Sequence, residues 1–428
     1  MVTDSAGNAS PAVTDIAALD QTAPTVAITS GVSDPANSAF TATIAFSEAV
    51  SGFAIGDITA VNATLSDLVD NGNGSYNVTV TPTVDGAVTL DVAGAIAQDA
   101  VGNNNSAATQ FSVTYDGSAP TPVFSTSAGD PTNEAFVVDI AFGESVTGFA
   151  IADISPVNAT LSNLVDNGSG SYSVTVTPTT DGAVTLDIAA GVTEDSAGNA
   201  SLGAAQLSLV YDTAVPAPTL TSNEPDPTNS AGFPVTIAFG EAVSGFVVGD
   251  ITVVNATLSG LTDNGGGDYS VTVTPTADGI VSLSLAAGVA QDAAANDNLT
   301  ASFSLVYDGT APTLVSSNPA DGATNVIFDT DLTLTFSEVV TAGSGNLTLY
   351  NAADDSVVET FAVSSGLING TTVTLEPAAT LTPTHSYYLQ IANTALVDAA
   401  GNAYAGIADD TTLNFTVSNA APVANADT

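Results

Sequence analysis

Cysteine is absent from the 428 residues, so neither disulfides nor thiolate metal sites can staple this chain. Lysine and arginine are also absent, against 45 aspartates and glutamates, for a formal charge of −45. Without basic side chains, phosphate could be met only by backbone amides, which argues against nucleic-acid binding and against polybasic attachment to anionic lipid. Trypsin-type proteases have no residue to cut after. Tryptophan is missing and histidine occurs once, as His385, which leaves almost no material for transition-metal or triad chemistry. No run of 18 apolar residues encodes a membrane span. No basic segment leads into an apolar run, so no signal peptide is expected in this chain.

What is present is lopsided. Carboxylates crowded within a Debye length of about 8–10 Å repel one another, so the charge must be met from outside the chain. A solvated acidic surface that confers solubility, or suits salty surroundings, is one reading. Bound cations are the other, and with thiolates excluded the available staple is a hard, oxygen-bound ion. Val, Thr, Ala, Gly and Asp dominate, in short alternating runs broken by turn residues, which points to all-β sandwiches.

The chain is periodic. Tyr115-Asp116-Gly117-Ser118-Ala119-Pro120 recurs in variants at 19–24, 211–216 and 307–312, and Asp20, Asp116, Asp212 and Asp308 each lie 96 residues after the last. A fixed period of this size marks an array of repeats. The motif falls between two apolar strand patterns and reads as an inter-domain joint, with Pro stiffening its exit. The expected limits are a partial repeat over 1–20 (a last loop and strand), full repeats over 21–116, 117–212 and 213–308, a variant fourth domain over 309–417, and a linker over 418–428. The first stretch reads either as the end of a repeat cut from a longer protein or as a donor strand for a neighbouring sheet.

Within the first repeat, seven strands are expected: Thr25–Thr29, Phe40–Phe46, one after Gly56-Asp57-Ile58, Ala63–Val69, Tyr76–Thr81, Val88–Val92 and Thr109–Tyr115. The turn Asp70-Asn71-Gly72-Asn73-Gly74 joins the fourth and fifth, since Asn/Gly pairs supply the positive φ of a tight reversal. Seven strands in about 96 residues is the size of an immunoglobulin-like sandwich. The fourth domain keeps the joint, Phe336-Ser337-Glu338 and Asp398-Ala399-Ala400-Gly401-Asn402, but its middle is longer and different.

The motifs Phe-Ser-Glu, Gly-Asp-Ile, Asp-Asn-Gly-x-Gly, Thr-Pro-Thr-x-Asp-Gly and Asp-x-x-Gly-Asn together resemble the bacterial Ig-like repeats of giant secreted adhesins, and the fourth domain resembles the Ig-like family described from S-layer proteins. The resemblance implies an extracellular array displayed on a bacterial surface, in a class whose members often bind calcium and serve as spacers between an anchor and an adhesive tip. Fold class is then all-β, tandem immunoglobulin-like β-sandwiches arranged as an elongated rod.

In such a sandwich the loop after the second strand and the loop before the last lie at the end where the chain enters. That topology gathers Asp116, Glu144, Asp153, Asp195 and Asn199. The equivalent sets are Asp20, Glu48, Asp57, Asp99 and Asn103; Asp212, Glu241, Asp250, Asp292 and Asn296; and Asp308, Glu338, Asp398 and Asn402. Ca²⁺ takes 6–8 oxygens from carboxylates, carbonyls and water, which suits mixed donors on loops better than the compact octahedron of Mg²⁺. Against this stands the plainer reading that Asp-x-x-Gly-Asn is a turn with Asx hydrogen bonds and that the Glu merely ends a strand in water.

Lesser features are a second cation site at Asp-Asn-Gly-x-Gly, an ice-binding-like Thr79, Thr81, Thr83 row, and the sequons that begin at Asn62, Asn158 and Asn255. Each has a structural explanation as a hairpin turn, an ordinary solvent-facing strand, or chance in a Thr-rich chain. Carboxylate pairs recur on every module, which favours structure over a catalytic cleft, so no enzyme is expected. The functional expectation is a Ca²⁺-rigidified extender whose partners are its own neighbouring repeats, with a surface glycan or host receptor met by domains outside this chain. The alternatives are a glycan- or host-binding module, for which Tyr387-Tyr388 is the one exposed-aromatic candidate, and a self-assembling layer or filament subunit using strand donation.

Overall fold

Phe40–Phe46 reads Phe-Thr-Ala-Thr-Ile-Ala-Phe, and Phe40, Ala42, Ile44 and Phe46 are buried while the residues between them are not. This is the period-2 burial of a strand with one face on a core. The computed structural model describes Thr3, residues 5–8 and residues 19–418. Among these there is no α-helix, only strands and short 3-10 turns. The chain divides into two compact units, Met1–Asp212 and Thr213–Thr428.

In the first unit, the opening repeat has strands β1 (Val26–Ser30), β2 (Phe40–Phe46), β3 (Ile58–Val61), β4 (Ala63–Gly72), β5 (Ser75–Pro82), β6 (Gly86–Val92) and β7 (Phe111–Tyr115). They form a four-stranded sheet, β1-β2-β5-β4, and a three-stranded sheet, β3-β6-β7. One core takes Ile44, Val78 and Val80 from the first and Val88, Leu90 and Val92 from the second, all at 0% exposure. The second repeat, from Val123–Ser125 to Leu207–Tyr211, has the same strand order and its own core around Val138, Ile140, Val174 and Val176.

Two details differ from the sequence expectation. The reversal after β4 is tighter: the strand runs through Gly72, and only Asn73 and Gly74 turn, with φ of +53° and +79°. β4 also carries a bulge between Ser66 and Val69, with Asp67 at φ +53°. Such a bulge interrupts an edge strand that could otherwise pair with a neighbour.

Gly74 has a packing reason. A Cβ there would lie 2.1 Å from the Glu48 carbonyl oxygen, and Phe46 N–H donates to Gly74 O at 2.8 Å. The hairpin tip therefore sits directly on the Phe46-Ser47-Glu48 segment. Beneath it Phe46 packs edge to face on Phe53 and Tyr76, which are tilted against each other, with centroids 4.8–6.1 Å apart. This arrangement suits the ring quadrupoles and gives the Glu-bearing loop a firm floor.

The second unit begins with the third repeat, whose strands run from Thr219–Thr221 to Ala301–Tyr307 in the same order, around Val235, Ile237, Val273 and Val281. The fourth domain is built otherwise. One sheet orders Leu314–Asn318, Leu332–Phe336, Thr372–Leu375 and Ile368–Asn369; the other orders Ala323–Val326, Asn414–Val417, Ser386–Ile391, Asn346–Asn351 and Ser356–Ala362. Its first pair is parallel. The core gathers Leu334, Leu347, Leu349, Leu375 and Leu389. The expected partial repeat over 1–20, with its donor-strand alternative, lies mostly outside the described residues, as does the linker beyond Ser418.

Candidate metal centre

The joint residue is fixed by its own main chain. After β1 the chain crosses to run parallel with β7, so that Ala36 N–H donates to Thr114 O at 2.8 Å and Ala36 O accepts from Asp116 N–H at 2.9 Å. The preceding repeat thus holds the amide of Asp116. The following repeat holds its carbonyl: Asn199 Nδ2 donates to Asp116 O at 2.8 Å.

Asn199 is itself set by Asp195. One carboxylate oxygen, Oδ1, accepts from Ala197 N–H at 2.8 Å and Asn199 N–H at 2.9 Å, while Oδ2 accepts from Asn199 Nδ2 at 2.8 Å. Gly198 takes the left-handed backbone that closes the loop, with φ +86°. The Asx-turn reading of Asp-x-x-Gly-Asn is therefore correct as local structure, and the turn also delivers a nearly buried carboxylate, 6% exposed, to the joint.

There it meets two more. Ligand-capable oxygens of Asp116, Glu144 and Asp195 lie within 4.8 Å of one another, and the same holds for Asp20, Glu48 and Asp99 and for Asp308, Glu338 and Asp398. Burial, followed by the charges of Asp116, Asp195 and Asp85, raises the Glu144 carboxyl above its ordinary value. Burial, Asp308, Asp398 and Asp278 do the same to Glu338, and burial, Asp20 and Asp99 to Glu48. Asp99 goes the other way: burial pushes it up, but hydrogen bonds from Asn103 and Val101 outweigh that and hold it low. No lysine or arginine exists to offset these groups.

At the entrance to the fourth domain, Asp308 N–H donates to Thr228 O at 2.9 Å, Asn402 Nδ2 donates to Asp308 O at 2.7 Å, and Asp398 accepts from Asn402 N–H and Nδ2 at 2.8 Å each. At the first joint Asn103 Nδ2 reaches Asp20 O at 3.1 Å. In the third repeat Asp292 accepts from Asn296 N–H and Nδ2 at 2.8 Å, and both residues are buried. There Ala295 takes a φ of +69° where the other loops have Gly, a strain of roughly 1 kcal/mol. Glu241 follows Phe239-Gly240 as Glu144 follows Phe142-Gly143, and Asp212 closes the first unit with its N–H on Thr132 O at 3.0 Å.

Two parts of the expected sets are used differently. Asp57, Asp153 and Asp250 do not join the carboxylate groups: each caps a 3-10 turn, accepting at 2.8 Å from the N–H of Ala54, Ala150 and Val247 three residues back. Asn103, Asn199 and Asn402 face the joint through their amide nitrogens, so they clamp the main chain instead of offering it an oxygen. Asp70 at the hairpin accepts from Gly72 N–H at 2.8 Å, as a turn requires. The sequon residue Asn62 is occupied at both ends of its amide, by Val84 O at 2.7 Å and Thr83 Oγ1 at 2.8 Å. Tyr387 and Tyr388 are 3% and 5% exposed, so neither presents an open ring.

One group went unassigned in the sequence reading. Asp85 lies in Thr-Pro-Thr-x-Asp-Gly of the preceding repeat and accepts from Gly117 N–H at 2.7 Å and Ser118 Oγ at 2.5 Å. Asp278 accepts from Gly309 N–H at 2.7 Å and from the Thr310 hydroxyl. These hydrogen bonds hold both aspartates below the usual carboxylate range. The signal was the motif's recurrence in each repeat, some 31–32 residues before the joint residues that these two aspartates hold.

A bacterial Ig-like domain model matches residues 20–115, 116–210 and 212–308, and a second bacterial Ig-like domain model matches residues 308–417. The chain belongs to the bacterial Ig-like domains. Among solved structures these Ig-like repeats are similar to invasin, a bacterial integrin-binding protein, at 15% identity over 83% of this chain and 79% of that one (TM-score 0.34). They are also similar to a tetra-tandem repeat in the extending region of a large adhesion protein, at 18% over 92% and 98% (TM-score 0.31), and to InvD of Yersinia pseudotuberculosis, at 16% over 66% and 98% (TM-score 0.29). A comparison with curated proteins finds no match. Among the described residues no helix is long and apolar enough to cross a membrane.

Proposed function

We propose that this chain is an extender segment of a bacterial cell-surface adhesin, in which calcium bound at the joints stiffens tandem Ig-like repeats that project an adhesive tip. The repeats are taken as 21–116, 117–212 and 213–308, followed by a variant domain over 309–417. The observation that carries the reading is the convergence of Asp116, Glu144 and Asp195, three carboxylates from three separated stretches, on a joint whose main chain is gripped from both sides. Three carboxylates and no neighbouring base are a hard-oxygen donor set of the kind Ca²⁺ takes, with backbone and water completing its 6–8 ligands.

Bound calcium would supply the positive charge the chain lacks. Asp116 belongs to the linker while Glu144 and Asp195 belong to the next sandwich, so an ion shared among them ties linker to domain and removes hinge freedom. Of the similar structures, one is the extending region of a large adhesion protein and another a bacterial integrin-binding protein. The test is a pair of measurements on the whole chain. Thermal melts and small-angle scattering in chelator should show a lower melting temperature and more bending, both reversed by Ca²⁺; curves that chelator leaves unchanged would sink the proposal.

A further inference from the structure

The fourth domain carries a groove that the joints do not account for. Along Asn346–Asn351, Leu347 and Leu349 point into the core while Asn346, Thr348 and Tyr350 lie on the opposite face. The neighbouring strand Ser386–Ile391 pairs with it in register, setting Thr348 opposite Gln390 and Tyr350 opposite Tyr388. Residues 405–410 form the other wall. Ile391 and Ile407 exchange two main-chain hydrogen bonds of 2.8 and 2.9 Å, and Gln390 Nε2 donates to Ala408 O at 2.9 Å. The groove between them has a volume of about 670 Å³ and continues past Gln390 and Ala408 to Tyr350, Asp355 and Asp410. That is within the usual range for ligand sites, about 300–1,000 Å³.

Its chemistry narrows the ligand. The long part offers neutral groups, the amides of Asn346, Gln390 and Asn393 and the hydroxyl of Thr348. At one end Tyr350 stacks on Tyr388, with centroids 5.0 Å apart and planes 8° from parallel; Tyr388 is buried and Tyr350 is half-buried, so the accessible ring is that of Tyr350. The acidic end, lined by Asp355, Asp409 and Asp410, is largely engaged within the domain. Asp409 is consumed by four hydrogen bonds of 2.6–2.9 Å from Thr411 and Thr412, and Asp355 accepts from the Tyr388 hydroxyl at 3.3 Å. A row of neutral donors and acceptors leading to one aromatic face matches a molecule that alternates hydroxyl edges with an apolar C–H face.

We infer that this groove binds a neutral pyranose oligosaccharide, with one ring against Tyr350 and its hydroxyls met by Thr348, Asn346 and Gln390. Six residues of strand extend roughly 17–20 Å at about 3.4 Å each, enough for a few rings. The site is independent of the joints, so it gives the chain a contact of its own besides any function as a spacer.

The experiment titrates the 428-residue chain by calorimetry with tetramers of glucose, galactose, mannose and N-acetylglucosamine, with tetralysine as a competing probe. At least one saccharide should bind, with Tyr350→Ala weakening it about tenfold or more. Thr348→Trp, which fills the groove from a half-exposed position, should abolish it, and Glu144→Gln or chelator should leave it unchanged. Melting of the fourth domain confirms that the variants fold. Binding of tetralysine and none of the saccharides, or saccharide binding indifferent to both Tyr350→Ala and Thr348→Trp, overturns the assignment.

Discussion

The joints at Asp116 and Asp308 lead into two different sandwiches by nearly the same hydrogen bonds. The second repeat has a four-stranded and a three-stranded sheet; the fourth domain has a five-stranded sheet with a parallel pair, a different family model and a different core. Yet Asn199 and Asn402 hold the joint carbonyl at 2.8 and 2.7 Å, and Asp85 and Asp278 hold the next amide at 2.7 Å in both. What two dissimilar domains keep in common is their entrance. Cores can be repacked around many side-chain sets, whereas an entrance that must meet the preceding repeat has one geometry to satisfy.

If the entrance is a shared device, damage to it should cost both domains alike. Asp195→Ala and Asp398→Ala each remove a nearly buried acceptor of several hydrogen bonds, and each should destabilise its own domain by about 2–4 kcal/mol in chemical denaturation. A large loss in one and none in the other would break the comparison. The hairpin tips should instead separate the two. Gly170→Ala drives a Cβ to 1.6 Å from Glu144 O, while Gly370→Ala meets nothing within 4 Å. The first should cost about 2–3 kcal/mol and reduce the response to calcium; the second should cost about 1 kcal/mol, from its positive φ alone.

Acidity gives a smaller effect with a definite sign. Glu144 and Glu338 titrate above the ordinary carboxylate value when folded, so the folded chain holds extra protons between the two values. Their contribution is full below about pH 4.3 and is lost as pH rises through the raised value. Asp85, Asp99 and Asp278, held low, contribute above the ordinary value and lose that contribution as pH falls. If calcium occupies the joints as proposed, it takes the place of the proton, and the rise in Tm that it produces should be least near about pH 4 and grow toward about pH 7. Glu144→Gln should flatten that dependence and leave the chelated protein no less stable. The least effect belongs to Asp153→Asn, which weakens a 3-10 cap by about 0.5–1 kcal/mol and should not alter the calcium response.

Much of this could be read in the sequence where a signal repeats at fixed spacing. The period of Asp20, Asp116, Asp212 and Asp308 located the joints, and sandwich topology brought Glu144 and Asp195 to Asp116. The departures from the expected sets have one physical cause: an acidic or amide residue in a loop can serve a neighbour three residues away as readily as an ion. Asp153 serves Ala150 N–H, and Asn199 turns nitrogen, not oxygen, to the joint. Asp85 was legible as a motif but not as a linker contact, because its partners arrive from beyond the last strand. The middle of the fourth domain occurs once, so no repetition disclosed that Tyr387 enters the core while Tyr388 stacks on Tyr350.

The most direct measurement is equilibrium dialysis of the whole chain against Ca²⁺, with bound metal counted by atomic emission. Retention of more than one ion per chain is expected, with Glu144→Gln and Glu338→Gln each removing about one. A chain that retains no calcium above background, or retains the same amount after both substitutions, would contradict the account.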